Sequence, residues 1–84
     1  MIYTVTIERP AQKDIAALSS ENRSRVLAAI YKLATNPRPD GAIKLTGQTS
    51  WRIRVGSIRI IYTIDDAKLT VTVINVGQRG GIYR

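Results

Sequence analysis

The sequence predicts an α+β domain of order β-α-α-β-β-β, and three observations carry that prediction. Residues 51–62 alternate apolar and polar side chains about a central Gly56-Ser57 pair, which is the pattern of a β-hairpin. Residues 2–8 are β-branched and alternate in the same way, as an isolated N-terminal strand would. Between these segments, apolar residues recur at helical spacing and are punctuated by serine and proline.

Each element has a local cause. In the first strand Tyr3, Val5 and Ile7 fall on one face, expected to be the core face. Arg9-Pro10 ends it, and Pro10 suits the first turn of a helix, where its missing N–H would have no partner anyway. A short helix is expected over residues 11–18, with Ile15 and Leu18 on one side. Ser19-Ser20 interrupts it and supplies an N-cap for a second helix over residues 21–34. There Val26, Leu27, Ile30 and Leu33 form the apolar stripe, and Arg23, Arg25 and Lys32 are expected to stay in water. Asn36-Pro37-Arg38-Pro39 stops the helix, because proline lacks the N–H and restricts the residue before it. Asp40-Gly41 turns the chain into a short extended segment over residues 43–47.

The hairpin then presents two unlike faces. Trp51, Ile53 and Val55 share one face with Ile58, Ile60, Tyr62 and Ile64; Arg52, Arg54 and Arg59 point the other way. Gly56-Ser57 suits a two-residue type II′ turn. Residues 65–68 form a second turn, and residues 69–76 a Val/Thr/Ile-rich strand expected near the sheet centre. A Gly-containing tail follows over residues 77–84. Strands joined by hairpins run antiparallel, and the helical hairpin covers one face. The three arginines therefore occupy the face without helices. Trp51 and Tyr62 read as core residues, and Tyr3 and Tyr31 as packing residues at the sheet and helix surfaces.

The 84 residues (1–84) make a single domain, of a size that buries only about 60–65% of its unfolded surface. The net charge is +7, and it is uneven: residues 1–43 contribute +2 (six Lys/Arg, four Asp/Glu) and residues 44–84 contribute +5 (seven Lys/Arg, two Asp). The excess follows the sheet, which points to an anionic partner docking there. Arginine holds its charge at all physiological pH, and its planar fork fits phosphate oxygens, so nucleic acid is the ligand that this face best suits. The absence of cysteine rules out disulfides and thiolate chemistry, and with no histidine either, no zinc site or other cofactor is expected. No signal peptide is recognised, and no stretch nears the ~18 apolar residues of a spanning helix, so a cytoplasmic protein without membrane association is expected.

The ordered set Ala-x-Lys-Asp-Ile (residues 11–15), Asn-Pro-Arg-Pro (36–39), Lys-Leu-x-Gly (44–47), Trp-Arg-Ile-Arg-Val-Gly (51–56), Arg-Ile-Ile-Tyr (59–62) and Val-Gly-Gln-Arg (76–79), ending in Ile-Tyr-Arg, resembles the RelE/ParE superfamily of bacterial toxins and looks closest to its RelE branch. The resemblance covers nearly the whole chain. It implies a RelE-like, microbial-ribonuclease-type fold and the toxin role in a type II toxin–antitoxin system. It further implies a metal-independent endoribonuclease that cuts mRNA in the ribosomal A site against ribosomal RNA and arrests translation. The expected partner is a cognate antitoxin in a hetero-oligomer.

Carried over position by position, the resemblance implies that Arg59 and Arg79 hold the reacting phosphate. It implies that Tyr83 stacks on a base or gives a proton to the leaving oxygen. Arg52 and Arg54 stand where RelE proteins often have lysine, one of them proposed as a general base. Lys44 would contact backbone phosphate, and Gln78, a further RNA contact, stands where relatives often carry His or Lys. The departures matter chemically: arginine keeps the charge but is a very poor base, and no histidine replaces it. Three function classes follow: a ribosome-dependent endoribonuclease, a gyrase-directed toxin like the ParE branch, and a silent homologue that binds only RNA and antitoxin.

Overall fold

The computed structural model describes residues 2–78 except 46 and 48. The chain runs β1 (Thr4–Ile7), α1 (Arg9–Ala16), α2 (Ser20–Lys32), β2 (Ile43–Lys44), β3 (Ser50–Val55), β4 (Ile58–Asp65) and β5 (Thr70–Gln78). Pro10 lies in the first turn of α1, as expected. The Ser19 hydroxyl caps α2 by accepting from the Asn22 N–H at 3.3 Å. Gly56 has φ +61°, and Ser57 is outside the positive-φ region, as a type II′ turn requires.

The strands form one sheet in the order β1-β5-β4-β3-β2. β3–β4 and β4–β5 are antiparallel hairpins. Two features enlarge the expected three-strand antiparallel sheet. Residues 43–44 of the extended segment pair with β3 as a strand, Ile43 opposite Arg52 and Lys44 opposite Trp51. The N-terminal strand joins the same sheet parallel to β5, Thr4 opposite Thr70 through Ile7 opposite Val73. The sheet is thus mixed and five-stranded, and β5 is an interior strand.

Both helices lie on one face. Ala11, Ile15, Val26, Ile30 and Leu33 pack with Ile53, Ile58, Ile60, Tyr62, Val71, Val73 and Val76 in a continuous buried cluster. Tyr3, Val5, Ile7 and Trp51 are partly buried against it. Tyr31, expected to pack, is 58% exposed. Arg23 departs from the wet helix face predicted for it. Its guanidinium donates to the carbonyls of Leu18 (2.9 Å), Ala16 (3.2 Å) and Ile15 (3.4 Å), and so caps the C-terminal end of α1. The Ile15 carbonyl also accepts from the Leu18 N–H at 3.1 Å, and the charged fork extends the capping to the Ala16 and Leu18 carbonyls. Among the described residues, no helix is long and apolar enough to cross a membrane.

A β-bulge interrupts β4–β5. Ile61 is opposite Asn75 but Tyr62 is opposite Val73, so Ile74 is the extra residue. The bulge reverses the face phase of β5 beyond it. Val76 enters the core, and Asn75 joins the face away from the helices. The Val76 N–H, beyond the end of β1, is accepted by the Asp14 carboxylate of α1 at 3.4 Å.

Candidate nucleic-acid interface

The face turned away from α1 and α2 can be read row by row from the register. At the end near the Gly56-Ser57 turn, Arg54 is directly opposite Arg59, which is in turn opposite Gly77. The next row runs Ile43, Arg52, Ile61, Asn75. Then come Ser50, Thr63, Thr72 and Thr6. Directly opposed residues stand only about 4.5–5.5 Å apart, and like charges there destabilise the pair. Arg54 and Arg59 thus place two like charges in direct opposition across β3–β4.

The three arginines differ in setting. Arg54 is exposed, while Arg52 and Arg59 are half-buried. Arg52 Nε is buried with no hydrogen-bond partner among the described residues. Ile61, between Arg52 and Asn75, is buried but lies outside the main core cluster. From the arginine rows the face continues into a trough of about 600 Å³ lined by Thr49, Thr63, Thr70, Thr72 and Lys68, with Asp65 at its end. Charge thus falls along the face from arginine through hydroxyl to carboxylate.

Of the residues expected to act together, the fold brings Arg52, Arg54 and Arg59 onto one surface. Lys44 is elsewhere: it is opposite Trp51, so at the β2 edge it belongs to the helix-side face of the sheet and not with the arginines. Gln78 ends β5, opposite Ile58. Arg79 and Tyr83 lie outside the described residues. The fold adds Asn75 to the Arg52 row, a position that the sequence signals only by an asparagine in a β-branched run.

A second polar group secures the opposite end of the domain. Arg38 forms a two-pronged pair with Asp66 (2.8 and 3.3 Å), and the Tyr3 hydroxyl donates to the same carboxylate at 2.6 Å. Arg38 also stands 5.3 Å from the Trp51 ring centroid, a cation–π distance. The Arg38 and Tyr3 hydrogen bonds hold the Asp66 carboxyl below its ordinary range, while the bond to Asp66 raises Tyr3. The group is exposed and structural, and it joins the start of β1, the α2–β2 loop and the β4–β5 turn.

Comparison with known proteins agrees with this architecture. Residues 5–83 match the family model of the ParE toxin of type II toxin–antitoxin systems. The chain is 30% identical to toxin RelG of Mycobacterium tuberculosis over 90 residues, covering 100% of this chain and 99% of that one. The archaeal RelE–RelB complex from Pyrococcus horikoshii superposes with TM-score 0.85 at 26% identity, covering 96% of this chain and 99% of that one. A free-state arginine double mutant of Escherichia coli toxin RelE gives TM-score 0.81 at 27% identity, covering 98% and 88%. Several of the similar toxins were crystallised with a RelB antitoxin. The chain belongs to the RelE/ParE family and is a RelE-like toxin of a type II toxin–antitoxin system.

Proposed function

We propose that this chain is a ribosome-dependent endoribonuclease that cuts mRNA in the A site. The observation that carries the reading is the Arg54–Arg59 opposition, with Arg52 one row away, on the sheet face turned away from α1 and α2. In metal-independent cleavage the substrate's 2′-oxygen attacks the adjacent phosphorus. A 2′-O–P bond forms, the P–O5′ bond breaks, and a cyclic phosphate remains. The 2′-hydroxyl loses a proton and the 5′-oxygen gains one. The protein's tasks are to align attack, to stabilise the extra charge on phosphate and to manage those protons.

Arg59, flanked by Arg54 and by side-chain-free Gly77, has the central position for the charge task. Arg79 adds a second grip, and Tyr83 protonates the leaving oxygen or stacks on a base. Arg52 and Arg54 hold the strand electrostatically. Neither can accept the 2′-proton at neutral pH, so water or a ribosomal RNA group takes it. Lys44 and Gln78 serve as outlying RNA contacts. In the cytoplasm a cognate antitoxin holds the toxin inactive; the complexes of related toxins with RelB support this, and the +7 charge favours an acidic segment that folds on the sheet.

The match to a ParE model favours one alternative, a gyrase-directed toxin without RNA chemistry. Primer extension on cellular mRNA after brief induction separates them, with an Arg59→Ala/Arg79→Ala double variant alongside. In-frame cuts that vanish in the variant are expected. Growth arrest with intact messages would favour gyrase. Neither arrest nor cuts would mark a silent homologue that only binds.

A further inference from the structure

We infer that Asn75 reads a base of the bound RNA strand, next to the phosphate gripped by Arg59, and favours adenine there. The inference rests on the endoribonuclease reading and adds a specificity determinant to that site.

The argument begins with why an asparagine is present at all. Asparagine is depleted in strands, and Asn75 interrupts the run Thr70-Val71-Thr72-Val73-Ile74 before Val76. Nothing in the fold explains the choice. Its backbone is not in the left-handed region that favours asparagine, since Leu69 is the only non-glycine with positive φ among the described residues. Its carboxamide makes no hydrogen bond to any described residue, to the neighbouring bulge or otherwise. The side chain is half-buried, but its carboxamide atoms are not sealed from solvent and stay open to a ligand. A threonine or valine would suit the strand better.

The bulge gives the residue its position. Without the extra Ile74, Asn75 would fall on the core face with Val71 and Val73. With it, Asn75 joins the row of Arg52 and stands diagonal to Arg59, whose direct partner is Gly77, two residues on. Diagonal neighbours are about 7–8 Å apart, within reach of one nucleotide. A phosphate on Arg59 therefore leaves an adjoining base over the Asn75 position.

A carboxamide offers an acceptor and a donor side by side in one plane. That pair complements the N6 amino group and N7 of adenine, the two-point contact asparagine makes with bases. In single-stranded RNA those edges are open. Arginine cannot make this selection, because it only donates; a neutral two-way group among arginines adds base choice to phosphate affinity.

The test uses purified ribosomes programmed with messages that differ only in the bases around the scissile bond. Cleavage rates are measured for the wild-type chain and for Asn75→Thr and Asn75→Asp. Threonine suits the strand, and aspartate keeps the shape but replaces donors with an acceptor. The wild type is expected to cut messages with adenine at one flanking position roughly 5- to 150-fold faster than the others, the discrimination a two-point base contact supplies. In both variants the adenine rate is expected to fall until the messages converge. A loss of fold would slow all messages in proportion and leave the preference intact. Wild-type cutting with no adenine preference, or a preference unchanged in both variants, overturns the role of Asn75 while leaving the endoribonuclease reading intact. A wild type that cuts no message overturns both.

Discussion

The Tyr62 hydroxyl, at the centre of the buried cluster, donates a 2.8 Å hydrogen bond to the carbonyl oxygen of Pro37. This bond fastens the middle strand to the loop that ends α2. Both residues are buried, so neither group has water as an alternative. Burial pushes the Tyr62 phenol up to about 12, with a smaller opposing effect from Arg38.

Tyr62→Phe is expected to lower stability by about 1–3 kcal/mol, because the Pro37 carbonyl loses its donor inside the protein. Urea unfolding at neutral pH measures this. Alkali gives a second readout. The folded phenol titrates above the unfolded one, so its contribution is complete below about pH 10 and is lost as pH rises towards about 12. Stability of the wild type should fall more steeply over that window than stability of the variant.

Asp66 predicts the opposite pH dependence. Its folded carboxyl lies below the unfolded value, so its contribution is present above the ordinary carboxylate range and lost as pH falls through the folded value. Asp66→Asn is expected to flatten the acid limb of a plot of melting temperature against pH. Added salt should reduce the difference, since the pair is exposed. An unchanged acid limb would mean that the Arg38–Tyr3–Asp66 group contributes nothing measurable.

Arg54→Thr should separate function from stability. It removes a like-charge pair directly across β3–β4, which is expected to stabilise the free protein by about 0.2–1 kcal/mol. The same change should slow RNA cleavage. Calorimetry and single-turnover cleavage on one preparation test both; a drop in melting temperature would show that the repulsion is already relieved within the fold.

Arg23→Ala removes the guanidinium from the Ile15, Ala16 and Leu18 carbonyls at the end of α1 and is expected to cost about 1–3 kcal/mol. Arg23→Lys should recover little, because a single ammonium cannot reproduce the fork. Hydrogen exchange should show the loss in the last turn of α1 before the rest of the domain.

How much of this was legible in the sequence follows from the range over which each cause acts. The two-faced hairpin could be read from residues 51–62 alone, because period-two alternation and Gly56 act locally. The Ser19 cap and the Pro10 start were legible for the same reason. The parallel docking of β1 on β5 was not, since no local pattern records a partner so distant in sequence. β2 pairs through two residues, too few to show alternation. Arg23 resembled any wet helix arginine until α1 ended beside it. Asn75 was hidden by the bulge: Val71 and Val73 set a phase that assigns it to the core, and only the slip at Ile74 reverses this.

The pairing of Thr4 with Thr70 has a consequence for how the protein is made. Thr4 is made well before Thr70 and cannot pair until β5 exists. These contacts lie far apart in sequence, so the loop they close is long and its closure is slow. A growing chain that lacks β5 also lacks the strand opposite Arg59. Assembly of the arginine face thus waits for β5, and a chain that has not yet made residue 77 cannot hold the Arg54–Arg59–Gly77 row complete.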